Sequence, residues 1–216
     1  MQIQFISKSL IAVLLATQLS ACGILAVGGV AAGANVMADR RTPGVQTIDN
    51  GIEMEANAAL SKRFGDNAHI NVTSFNQKVL LTGEAKDVDI KGEAGAYVKA
   101  MKNARTVFNE IVIGPNSTYT ARANDSYLES KIKTQMIFTD KLPSNSMSIV
   151  AEGTSVYLMG ILTQNEADLA KKVASNTNGV KDVYVYFDII SEEEKNRLDK
   201  QGKADESTPS SPPKFQ

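Results

Sequence analysis

The chain has 216 residues, enough for one or two ordinary domains, and 43% of them are hydrophobic. Twenty-three basic against twenty-four acidic side chains leave a net charge of -1, which excludes a global basic field for nucleic acid. One Cys excludes a disulfide framework and a cysteine-based zinc site, and one His without any Trp leaves little for histidine-dependent catalysis or metal binding.

Residues 1–21 read as a signal peptide. Lys8 precedes an apolar run from Ser9 to Leu19, too short to cross a bilayer as a helix, which needs about 20 residues. Leu19-Ser20-Ala21-Cys22 matches the bacterial lipobox, so Cys22 is the expected lipidation site. Each buried CH2 of an acyl chain contributes about 0.8 kcal/mol to anchoring. Gly23, not Asp, follows the Cys, which by resemblance to bacterial lipoproteins implies an outer-membrane anchor with the protein facing the periplasm. Residues 22–46, with Gly28, Gly29, Gly33 and then Asp39-Arg40-Arg41-Thr42-Pro43, are expected to be a flexible tether.

The middle of the chain is one unit written twice. Lys78-Val-Leu-Leu-Thr-Gly83 corresponds to Ser155-Val-Tyr-Leu-Met-Gly160, an offset of 77, and Ile70 and Val72 correspond to Met147 and Ile149 at that offset. Val107 corresponds to Val183 at 76. A near-constant offset over four segments means a duplicated domain, over 47–114 and 124–190, joined by a linker at 115–123. In each copy the patterning predicts a helix (51–64; 126–138, with Asn124 or Asp125 as cap), then a strand hairpin turning at Phe75-Asn76-Gln77 or Glu152-Gly153-Thr154. A second helix (87–101; 164–176) and a final strand (106–113; 180–190) complete each copy. Asn178-Gly179 closes the last helix. The right-handed crossover predicts an α+β fold: two tandem α-β-β-α-β domains, each a three-stranded mixed sheet packed against two helices. Gly83 and Gly160, ending the central strands, are expected to be structural glycines at a close backbone or helix approach. The two domains are expected to pack together through residues 115–123. Residues 191–216 form a tail: Glu192-Glu193-Glu194 with Lys195 and Arg197 suits a helical turn or two, and Gly202 onward is expected to be disordered.

A lipobox followed by two such units, each with a Leu/Val-rich strand ending in one Gly, resembles the BON-domain family, and within it the dual-BON outer-membrane lipoproteins. The resemblance covers residues 19–190, and its sharpest motif is Asn124-Asp125-Ser126-Tyr127 leading into Lys131-Ile132-Lys133-Thr134-Gln135. It implies binding to anionic phospholipid through the first helix of the second domain, and a role in envelope integrity at the division site. Two departures stand out. Relatives often carry Trp where Tyr127 stands, and the acidic, proline-bearing tail is outside the pattern.

No nucleophile elbow, P-loop, dinucleotide fingerprint or metal-ligand cluster occurs, so neither catalysis, nor a cofactor, nor a metal is indicated. His69, beside Ala68 and Ile70 at a strand start, reads as a surface or cap histidine. The informative feature is an asymmetry between the two first helices. At about 100° per residue, Leu128, Ile132, Gln135 and Met136 form a core stripe. Tyr127, Lys131, Thr134 and Phe138 form a second stripe, while Lys133 and Ile137 lie opposite the core. In the first copy Ala56, Leu60 and Phe64 supply the core, and the other positions are mostly polar. Apolar groups beside lysines suit an anionic membrane surface. Tyr127, Ile137 and Phe138 would insert, and Lys131 and Lys133 would meet headgroup phosphates, with Thr134 counted in the same lipid-binding set. The competing reading packs Tyr127, Ile137 and Phe138 against the first domain. A different function class, an adaptor for envelope-assembly or cell-wall proteins, would use the same helix as a partner surface. The sequence leaves the oligomeric state open.

Overall fold

The computed structural model describes residues 39–207, and side chains over 39–201. The signal peptide, Cys22 and most of the tether lie outside the described residues, as do residues 208–216.

Helix α1 (Pro43–Phe64) starts eight residues earlier than its apolar pattern predicts. Thr42 and Pro43, read in sequence as the end of a tether, are its cap and first residue. The Thr42 hydroxyl accepts from the Val45 N–H at 3.3 Å, and proline fits the first helical position. Ile52, Ala56, Leu60 and Phe64 form the buried stripe. Strands β1 (Ala68–Phe75) and β2 (Lys78–Ala85) are antiparallel, joined by Asn76 and Gln77, both at positive φ (54° and 63°). Two consecutive left-handed residues make the tight hairpin whose twist matches the strands. The buried Asp49 carboxylate secures it, accepting from the Gln77 N–H and Ser74 hydroxyl through Oδ1 and from the Asn76 N–H and Arg41 through Oδ2, all at 2.7–2.9 Å. Helix α2 (Val88–Lys99) crosses back to β3 (Thr106–Asn109) and the short β4 (Val112–Ile113), both parallel to β2.

The second copy repeats the order with α3 (Tyr119–Ile137), β5 (Met147–Glu152), β6 (Ser155–Leu162), α4 (Gln164–Ser175) and β7 (Asp182–Ile189), its sheet ordered β5-β6-β7. Helix α3 runs through much of the expected linker. Its cap is Thr118, which accepts from the Ala121 N–H at 3.2 Å, rather than Asn124 or Asp125. Asp125 instead accepts from the Gly153 N–H of the hairpin turn at 2.9 Å, much as Asp49 does in the first copy. In place of a mostly disordered tail, residues 192–207 form helix α5 (Glu192–Ser207).

Each copy has its own core between helices and sheet: Leu128, Ile132 and Met136 with Val156 and Leu158 in the second, and Ile52, Ala56 and Leu60 with Val79 and Leu81 in the first. A third core joins them. The sheet faces that carry no helices stack on each other through Phe75, Leu80, Tyr157, Met159 and Ile161, with Leu198 of α5 at the margin. Phe108 stacks on Tyr186 at 4.1 Å between ring centres, and the Tyr186 hydroxyl donates to Glu110 at 2.8 Å. Lys78 pairs with Asp188 at 2.6 Å. The domains therefore pack back to back mainly through their sheets, because β2 and β6 are apolar on both faces and need two covers. The 115–123 segment adds polar contacts from Asn116 to Asp66, Ser117 to Glu84 and Arg122 to His69.

Candidate functional site

Helix α3 buries Leu128, Ile132 and Met136 but not Gln135, which is exposed; of the second stripe, Tyr127, Thr134 and Phe138 stand in solvent and Lys131 is half-buried. Tyr127 is 69% exposed, Phe138 77% and Ile137 38%. At that exposure they are not packed against the first domain, whose contact with the second runs through the stacked sheets. Thr134 is exposed, its hydroxyl donating back to the Ser130 carbonyl at 2.8 Å. Lys131 donates to the Asn178 carbonyl at 3.0 Å, which uses one of three ammonium donors. Lys133 departs from the expectation. Its half-buried ammonium turns in to the Ser144 carbonyl, and burial lowers its pKa against the opposing pull of Asp39 and Glu129. It lies beside strand β5, not on the outer face.

The first copy has a different surface at the matching places. Seventy-six residues before Tyr127, Lys131, Ile137 and Phe138 stand Gly51, Glu55, Ser61 and Lys62. Its one large exposed apolar side chain on the first helix is Met54, 74% exposed, which the polar reading of that helix missed.

The structural glycines differ in kind. Gly83 has φ +100°, and an added Cβ would sit 2.0 Å from the His69 carbonyl oxygen. At Gly160 a Cβ would meet Met147 Cγ and the Ser146 carbonyl oxygen at 2.9 Å, with no positive φ. His69 lies 3.3 Å from an Arg122 nitrogen. Among the described residues no group of three His, Cys, Asp or Glu side chains could hold a metal, and no helix is long and apolar enough to cross a membrane.

Sequence reasoning missed the arginine pair at the start of the body. The Arg40 side chain is fully buried, donating to both Glu166 oxygens (2.7 and 2.9 Å), to the Ile161 carbonyl and to Asp199 of α5. Burial works against its charge, but the hydrogen bonds to Glu166 and Asp199 outweigh it, so its pKa is raised. Burial likewise works against the Glu166 charge, but Arg40 outweighs it and holds that carboxyl below the usual range. Arg41 bridges Asp39 and Asp49 and lies over the Phe75 ring at 4.0 Å. The available signal was two adjacent arginines directly ahead of a Thr-Pro helix start.

The model of the BON domain family matches residues 49–115 and 124–190. The chain is 30% identical over 174 residues to the outer membrane lipoprotein DolP of Haemophilus influenzae, covering 80% of this chain and 90% of the relative. It is 29% identical over 154 residues to a 21 kDa hemolysin of Actinobacillus pleuropneumoniae, covering 70% and 79%. A solved structure of CdsD, a structural protein of the type III secretion system of Chlamydia trachomatis, is 16% identical with a TM-score of 0.27 over 69% of this chain and 68% of that one. A superposition that loose carries no argument.

Proposed function

The chain belongs to the BON-domain family, with two copies of the domain, and on that premise we propose that it is an outer-membrane lipoprotein, acylated at Cys22, that binds anionic phospholipid through α3. The protein faces the periplasm, supports envelope integrity at the division site, and performs no catalysis. Its Haemophilus influenzae relative, an outer membrane lipoprotein, supports the location. The lipid reading rests on one observation: Tyr127, Ile137 and Phe138 stand in solvent on a helix whose counterpart has Gly51, Ser61 and Lys62 in their place. Placed at an interface, the three side chains enter the acyl boundary while Lys131, with two free donors, meets a phosphate. Lys133 contributes charge at the rim, held back by Ser144.

Co-sedimentation of the chain from residue 23 onward, which keeps every described element, with phosphatidylglycerol vesicles tests this. Binding should fall with rising salt. Tyr127→Asp or Ile137→Asp should weaken it roughly tenfold, through the ~1.5–3 kcal/mol of burial lost with one large side chain. Stable variants that bind like the parent refute the site. Failure of the parent to bind vesicles favours the adaptor reading, with the same helix meeting an envelope-assembly or cell-wall protein.

A further inference from the structure

The two copies treat the open edge of their sheets differently. β1 and β5 are edge strands, each paired on one side. Residues flanking a two-residue hairpin turn exchange hydrogen bonds, and alternate residues beyond them turn their N–H and C=O outward. In β1 the outward positions include Ser74 and Val72, and in β5 Ala151, Ile149 and Met147. Helix α1 caps the first edge. Glu53 accepts from the Ser74 N–H at 2.7 Å, while Asn57 accepts from the Val72 N–H at 3.2 Å and donates to its carbonyl at 3.3 Å. Seventy-six residues on, the same helix face in α3 carries Glu129 and Lys133. Glu129 accepts no hydrogen bond among the described residues, and Lys133 turns away to Ser144. The outward backbone groups of Ile149 and Ala151 therefore have no partner among the described residues, and such a row of unpaired groups on a sheet edge is a template for pairing with another chain.

A cleft of about 460 Å³ opens at this edge, where Ile149, Val150 and Ala151 face Asp125, Glu129 and Glu152, with Asn71 and Thr73 of β1 across from them and Arg122 and His69 also in its wall. A groove of about 410 Å³ continues it past Lys133 and Ser148. Burial pushes up the carboxyls of Asp125, Glu129 and Glu152, so a cation brought among them is favoured. We propose that the free edge of β5, Met147 to Ala151, docks an extended segment of a partner polypeptide, which pairs with Ile149 and Ala151 as an added strand and places a lysine or arginine against Glu129. At about 3.3 Å per residue, four or five residues cover this edge. The groove shares Lys133 and Thr134 with the helix face proposed for lipid but not Tyr127, Ile137 or Phe138, and the inference stands without the lipid reading.

The test uses the full chain in detergent micelles and two probes, acetyl-Val-Lys-Val-Lys-Val-amide and acetyl-Val-Glu-Val-Glu-Val-amide. The lysine peptide should slow hydrogen exchange at the Ile149 and Ala151 amides and bind about tenfold more tightly than the glutamate peptide. Lys133→Asn supplies the asparagine that Asn57 provides in the first copy, so it should cap the strand and weaken binding about tenfold. Glu129→Gln should narrow the preference between the two peptides. Unchanged exchange at Ile149 and Ala151 with saturating lysine peptide overturns the proposal. So does a folded Lys133→Asn variant that binds like the parent, or equal affinity for the two peptides.

Discussion

At the scale of single residues, side chains that touch no ligand fix the strand geometry. Asp49 is the clearest. Its four acceptor contacts hold Asn76 and Gln77 in the left-handed region that non-glycine residues ordinarily avoid. The two glycines make a graded prediction. Gly83→Ala sets a Cβ against backbone at a positive φ, where neither side yields cheaply, and should cost on the order of 3 kcal/mol. Gly160→Ala meets the flexible Met147 side chain as well as the Ser146 carbonyl, and should cost about 1–3 kcal/mol. Urea unfolding of both variants should show the larger loss at Gly83. Equal midpoints, or no loss at either position, would show that these glycines only mark the repeat.

At the scale of elements, regular periodicity was legible and its ends were not. The stripe Leu128–Ile132–Met136 and the matched glycines are repeats of apolar spacing, readable without tertiary knowledge. The starts of α1 and α3 lie in capping chemistry at Thr42-Pro43 and Thr118, ahead of the apolar stripe that marks each helix in sequence. Helix α5 has so few apolar residues that no core face announces it. Its contacts with the body include Leu198 at the interdomain core, Asp199 on Arg40 and Lys195 near Glu166. The direction of Lys133 was equally hidden, because the Ser144 carbonyl that holds it comes from a turn after the helix. The Arg40 clamp yields a prediction. Arg40→Ala leaves the buried Glu166 with only the Thr163 N–H and the more distant Lys195, and should cost about 3–5 kcal/mol in urea unfolding. Arg40→Met with Glu166→Gln removes both charges and should recover most of that. The Glu166 carboxyl is depressed by its partner, so its stabilisation is present above the ordinary carboxylate range and is lost as pH falls through the lowered value. Acid unfolding of the parent should therefore begin around Arg40 and the start of α4, where Glu166 sits, and the double variant should lack that early phase. A double variant as unstable as Arg40→Ala would show that the pair stabilises by packing and not by charge.

At the scale of the molecule, the duplication produces two domains with different surfaces on a shared spine. The stacked sheets account for the unbroken apolar runs of β2 and β6, a signal present in the sequence whose second cover is the other domain. Stacking also frees the first helix of each copy to face outward, and the second copy uses that freedom for Tyr127, Ile137 and Phe138. Membrane engagement by α3 can be read at one position, because the chain contains no Trp and Phe138→Trp introduces a single reporter. With phosphatidylglycerol vesicles its emission should shift to the blue, with phosphatidylcholine vesicles it should not, and adding Lys131→Glu should abolish the shift. Met54→Trp, on the first helix of the first domain, should stay at the emission of a water-exposed indole throughout. A Phe138→Trp emission that remains water-like on anionic vesicles, in a protein that melts like the parent, would contradict lipid binding through α3.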